Sequence, residues 1–126
     1  LFSTLMFSTP SYGEWTKVVK NVDGTVFYVD FERIRKHGGY VYWWTLNDYL
    51  KPTKHGDLSH RNYQQGDCEL FQFKTLSSSS HKEPMGGGSG KTLTAPNPKW
   101  KIPPPNSSNE FILKIACKGR KLFPWE

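Results

Sequence analysis

Two short runs of β-branched and aromatic residues stand at positions 14–20 (EWTKVVK) and 25–30 (TVFYVD), separated by Asn21-Val22-Asp23-Gly24. An Asp-Gly pair supplies the positive φ angles of a tight turn, so the two runs read as a β-hairpin. Residues 31–36, with Asp30 as a cap, read as a single helical turn ended by His37-Gly38-Gly39. The strongest strand follows at 40–50 (YVYWWTLNDYL). In strand geometry residues 40, 42, 44 and 46 share one face and 41, 43 and 45 the other. Both faces are apolar near the middle, which predicts a central strand covered on both sides, or one whose second face meets a partner.

Residues 51–57 form a polar loop, and 58–76 read as one or two further strands, the second around Cys68 to Lys74. Residues 77–90 contain SSSS and GGGSG and are flexible by composition, with Pro84 and Met85 as the points where they would touch the core. The proline-rich stretch 91–105, with Trp100 between two lysines, reads as an extended segment or edge strand. Ser107-Ser108-Asn109-Glu110 then has the spacing of a capping box, which starts a helix running to about Lys118 and stopping at Gly119. Glu110, Lys114 and Lys118 make a narrow polar stripe in the favourable acid-before-base order. The rest of the helix is apolar, so it lies on the sheet.

Composition agrees with one β-rich domain. The chain has 126 residues, the length of a single core, with 36% hydrophobic and 15% aromatic residues, which excludes a fully disordered chain. Its 11 glycines and 9 prolines argue for loops and sheet and against a helical bundle. Lys and Arg number 17 against 11 Asp and Glu, a net charge of +6 that favours anionic partners.

Residues 1–13 carry no charge, and every charged residue lies from Glu14 onward. An apolar stretch ending in small-x-small (Ser11-Tyr12-Gly13) reads as the end of a signal peptide cleaved after Gly13, the alternative being a disordered or packed arm. The stretch is too short to cross a bilayer as a helix, so no transmembrane segment is expected. Residues 14–126 then form the single exported domain. Two cysteines, Cys68 and Cys117, point to a disulfide in such a domain, with two buried free thiols as the alternative.

The chemistry-bearing motifs are weak. Residues 86–92 (GGGSGKT) are one residue short of a phosphate-binding loop, and Pro96 and Pro98 forbid the helix such a loop needs after it. His37, His55, His60 and His81 all fall in expected loops, and no spacing enforces metal coordination. No nucleophile stands on a recognisable turn. The expectation is therefore no catalytic residue, no metal and no cofactor. Lys99 and Lys101 flank Trp100, and with Lys51, Lys54, Arg61 and the tail residues Lys118, Arg120 and Lys121 they could form a polyanion surface on which Trp100 stacks. The plainer reading is a solvated basic surface. Tyr40, Tyr42, Trp43 and Trp44 read as core and dimer contacts.

The order of these elements resembles the surface-adhesin protein E-like family. Trp15, the Asp23-Gly24 turn, Phe27 to Asp30, the strand from Val41 to Tyr49, Ser59 and Cys68 stand in its order. So do Pro84 to Gly88, Trp100 in its proline-rich setting, and Ser107 opening a helix that ends at Cys117. The likeness spans Trp15 to Cys117. It implies an α+β domain: a mostly antiparallel sheet of about five to six strands, with a C-terminal helix packed on it and tethered by a Cys68–Cys117 disulfide. It also implies an exported, non-enzymatic binding module of the cell envelope that adheres to extracellular matrix or other surface ligands. A protein or glycan ligand and a homodimer are the expected partners, and nucleic acid is not. No lipobox cysteine stands near Gly13, so periplasm, outer-membrane surface and secretion are the expected locations. A polyanion-binding envelope protein, using the basic residues around Trp100, is the alternative function.

Overall fold

The computed structural model describes residues 14–94 and 97–118. The signal-peptide reading of residues 1–13, the stop at Gly119 and the tail residues Arg120 and Lys121 lie outside the described residues. The first hairpin pairs β1 (Thr16–Lys20) with β2 (Val26–Val29). Gly24 takes φ +92°, as the Asp-Gly turn requires, and the Asp23 carboxylate accepts the Thr25 amide at 3.0 Å.

The helical turn expected at 31–36 is shorter than its pattern suggests. A 3-10 turn covers Phe31–Arg33, capped by the Asp30 carboxylate on the Glu32 amide, and Arg35–His37 is a strand, β3. Gly38 and Gly39 both adopt positive φ (62° and 85°), the geometry of a two-residue hairpin, and they fold β3 onto β4 (Tyr40–Asp48). This hairpin overrides the weak helical tendency before it. β2 and β3 share one edge of β4, and β5 (Ser59–Asp67) takes the other. β6 (Gln72–His81) and β7 (Gly90–Thr94) complete an antiparallel sheet of seven strands in the order β1-β2-β4-β5-β6-β7, with β3 paired to β4.

The stretch 77–90, expected to be flexible, is largely ordered. Ser77 to Ser80 are the second half of β6, Pro84–Gly86 is a 3-10 turn, and Gly90 opens β7. The serines are held because they pair along β5, and the Ser78 hydroxyl donates to the Asn62 side chain at 2.8 Å. Around 84–86, Ser59 donates to the Glu83 carbonyl (2.7 Å) and accepts the Gly86 amide (2.8 Å), while Asp48 accepts the Met85 amide (2.8 Å). The turn therefore caps one end of the sheet and buries Leu46. The proline-rich stretch is extended, as expected, and Lys101 forms a bridge to Phe73 at the margin of β6.

Helix α1 (Ser108–Lys118) starts on the predicted cap, with the Ser107 hydroxyl accepting the Glu110 amide at 3.1 Å. The Glu110 carboxylate reaches one residue further back than a capping box places it, to the Asn106 amide at 2.8 Å. Ile112, Leu113 and Ala116 pack with Val29, Val41, Trp43 and Phe73. Ile115 packs with Phe31. Phe111, expected among the apolar contacts, is 37% exposed. Cys117 is bonded to Cys68, with Cα atoms 5.8 Å apart. Cys68 itself begins the turn after β5 rather than lying in a strand, so the bond fastens the end of the helix to a sheet corner.

Candidate functional site

Strand β4 divides its side chains between two unequal faces. Val41, Trp43 and Thr45 point under the helix and are at most 2% exposed. Tyr40, Tyr42 and Trp44 point the other way, and no helix covers them. The expectation of a β4 strand covered on both sides thus holds only where the 84–86 turn shields Leu46.

On this open face cross-strand pairing builds a cluster. Trp44 is opposite Tyr63 of β5, their ring centroids 4.7 Å apart, and Tyr42 stacks on the other side of Tyr63 at 6.1 Å. The Arg61 guanidinium lies 5.2 Å over the Trp44 ring. Nearby, Tyr40 meets Trp100 at 5.5 Å and the Lys74 ammonium sits 4.4 Å over that indole. Two ladders of rings result, each with a cation over one end. Aromatic pairs contribute about 0.5–1.5 kcal/mol beyond burial and exposed cation–π contacts about 0.5–1 kcal/mol, enough to fix the ring orientations while leaving the surface half open. Gln65 donates to the Tyr42 hydroxyl at 3.0 Å, which holds that ring in the same array.

The helix-side face is different again. α1 lies over β1, β4 and β5, and the inward residues of β5 and β6 beyond its reach are polar. Thr75 donates to Gln64 at 2.7 Å, Ser78 to Asn62 at 2.8 Å, and Asn62 to Thr45 at 3.4 Å. A cleft of about 440 Å³ between this floor and the stretch before the helix is lined by Asn47, Asn62, Gln64, Thr75, Lys101 and Asn109. A second of about 490 Å³ is lined by Thr75, Ser78, Leu93, Lys99 and Lys101. A third of about 710 Å³, between the 55–60 segment and β7, includes His55, His60, Ser78, Ser80, Lys82 and Lys91.

Titrating groups gather at the third cleft. Asp57 forms an ion pair with Lys82 at 3.0 Å, and this hydrogen-bonded ammonium holds its carboxyl below the usual range. His60 bonds the Tyr49 hydroxyl at 2.7 Å, and burial lowers its pKa although Asp57 pulls the other way. Tyr49 is pushed up, chiefly by burial. His37, His60 and His81 stand in strands rather than the expected loops, because the strands run further than the apolar pattern; only His55 stays in one. Among the described residues no cluster of three or more His, Cys, Asp or Glu side chains could hold a metal ion, and no helix is long and apolar enough to cross a membrane.

The predicted basic set is dispersed. Arg61 lies on the aromatic face, Lys51 and Lys54 on the polar loop, and Lys99 and Lys101 beside the clefts, while Trp100 between them turns to the opposite face. Strand alternation separates a tryptophan from its neighbouring lysines in this way. Of the tail cations only Lys118 lies among the described residues, where it is exposed. Tyr63, Lys74 and the polar floor were missed. Tyr63 sits in a run, SHRNYQQGD, whose polar residues fall on both faces and hide the strand.

No curated protein matches this chain in sequence. The crystal form II structure of Haemophilus influenzae protein E is similar in fold, with a TM-score of 0.64 at 18% identity over 88% of this chain and 91% of that one. A structure of protein E from non-typeable Haemophilus influenzae gives 0.59 at 17% identity over 92% and 82%. The profile of the surface-adhesin protein E family matches residues 15–118, the whole of the described sheet and helix, and the chain belongs to that family.

Proposed function

We propose that this chain is an exported, non-enzymatic binding module of the cell envelope, and that its open aromatic face makes the contact with a protein ligand at the cell surface. The observation that carries the reading is the asymmetry of β4: Trp43 is spent on the core, while Trp44, Tyr42 and Tyr40 are left on the uncovered side with Tyr63, Trp100 and two cations. Tyrosine, tryptophan and arginine are enriched at protein interfaces because they bury large areas at small entropic cost and still offer hydrogen bonds. The family to which the chain belongs and its two-cysteine economy both favour export.

The test is binding of the full chain to a coat of extracellular matrix proteins. Trp44→Ala with Tyr63→Ala should weaken it by about tenfold or more, the scale of an interface hot spot. Unchanged binding by the folded double variant would overturn the assignment of the face. Sedimentation of the same samples checks whether the rings instead pair two copies: a dimer that the double variant converts to monomer would assign the face to self-association. Saturable turnover abolished by a point substitution would overturn the non-enzymatic reading.

A further inference from the structure

The three clefts on the helix side are one groove. The first and second share Thr75 and Lys101, and the second and third share Ser78 and Leu93. The groove follows β6, whose residues 75 to 80 alone span about 17 Å at strand spacing. We propose that it binds an extended anionic polysaccharide.

The floor is the first argument. Beyond the reach of the helix the inward positions are Asn62, Gln64, Thr75, Ser78 and Ser80, and Leu93, Pro98 and Ile102 also line the groove. Gln64 is only 7% exposed and spends its carbonyl oxygen on Thr75, which leaves its amide group as the donor available there. Hydroxyls and amides can both donate and accept, and so match the vicinal hydroxyls of a sugar chain.

Charge is the second argument. Lys91, Lys99 and Lys101 stand along the groove. Asp57 is the one acidic side chain among the described lining residues, and Lys82 neutralises it. Cations spaced along a hydroxyl-lined floor complement a polymer that carries an anionic group at intervals.

The absence of stacking platforms among these lining residues selects against nucleic acid. Single strands are held by rings interleaved with cations. Here Trp100 is turned to the other face against Tyr40 and Lys74, and Phe73, at the start of the groove, is 8% exposed. The inference stands apart from the aromatic-face reading, since the two surfaces lie on opposite sides of the sheet.

The experiment measures the full chain against heparin, with a deoxycytidine oligomer and poly-glutamate of equal charge as comparators, at physiological salt. Heparin should bind tightest. Lys91→Glu with Lys101→Glu should weaken it by about tenfold or more, whereas Lys17→Glu with Lys20→Glu, the same charge change on β1 at the far edge of the sheet, should cost less than about threefold, because exposed charges beyond a Debye length of roughly 8 Å are screened. Equal losses in both variants, or tighter binding of the oligomer or of poly-glutamate, would overturn the proposal. Amide shifts on the unmodified chain give a second readout independent of variant folding. Heparin should move Thr75, Ser78 and Ser80, and shifts confined to Tyr63 and the Trp100 indole would contradict the groove.

Discussion

Trp43 and Trp44 are chain neighbours with opposite fates: Trp43 is 1% exposed beneath Leu113, whereas Trp44 lies on the uncovered face between Tyr63 and Arg61. Strand alternation alone separates them. Trp43→Ala should destabilise by about 3–5 kcal/mol, the range for removing a fully buried large ring. Trp44→Ala should cost about 1–2 kcal/mol of ring and cation contacts and leave the denaturant slope unchanged. Urea melts of the two variants check this; equal losses would contradict the two-face description.

Trp43 also dictates a glycine. A Cβ at Gly66 of β5, which pairs with Val41 one step along the same face of β4, would lie 2.8 Å from the Trp43 ring and 2.9 Å from a Leu113 methyl. Gly66 lets the indole lie flat between strand and helix. Gly66→Ala should destabilise by about 1–3 kcal/mol through overpacking. Combining it with Trp43→Phe should recover part of that loss, and a thermal-melt double-mutant cycle would show no coupling if the contact is unimportant.

The Cys68–Cys117 bond spans 49 residues and ties the helix end to the turn after β5. Cys117→Ser should cost about 2–5 kcal/mol. Because Ile112, Leu113 and Ala116 still pack on the sheet, the variant should fold, with the last helical turn exchanging its amides first. Hydrogen exchange resolves this, and uniform loss of protection across the sheet would contradict a local tether.

The lowered pKa of His60 makes stability depend on pH in a defined direction. Burial disfavours its protonated form, so the folded protein binds fewer protons than the unfolded chain between the lowered value and the ordinary one near 6.5. This contribution is complete above about pH 6.5 and is lost as the pH falls toward the lowered value. Asp57, held low by Lys82, adds a loss of the same sign only below about pH 4. The urea midpoint should therefore fall between pH 7.5 and 5 in the unmodified chain and fall less in His60→Gln. Parallel profiles would contradict the assignment.

The helix, its serine cap and the first hairpin were legible because each rests on short-range chemistry: a hydroxyl three residues before Glu110, and an Asp-Gly pair between two apolar runs. The disulfide followed from two cysteines in a small domain of exported character, and the tether at the helix end from the family resemblance. What resisted reading is long-range. Ser77 to Ser80 look like a linker alone and become strand because β5 supplies the partners. β5 itself has polar residues on both faces, one side answering to the groove and the other to the aromatic cluster, so it lacks the alternation that marks a half-buried strand. Trp100 was singled out with its neighbouring lysines, yet its partners Tyr40 and Lys74 come from elsewhere in the chain.

Oxidative footprinting of the full chain, free and bound to a matrix-protein coat, reads out whether the open face of β4 and β5 makes the ligand contact. Modification of Tyr42, Trp44, Tyr63 and Trp100 should drop on binding while Phe111, exposed on the helix, is unaffected. Unchanged oxidation of those four rings in a saturated complex, with protection at Phe111 instead, would contradict it.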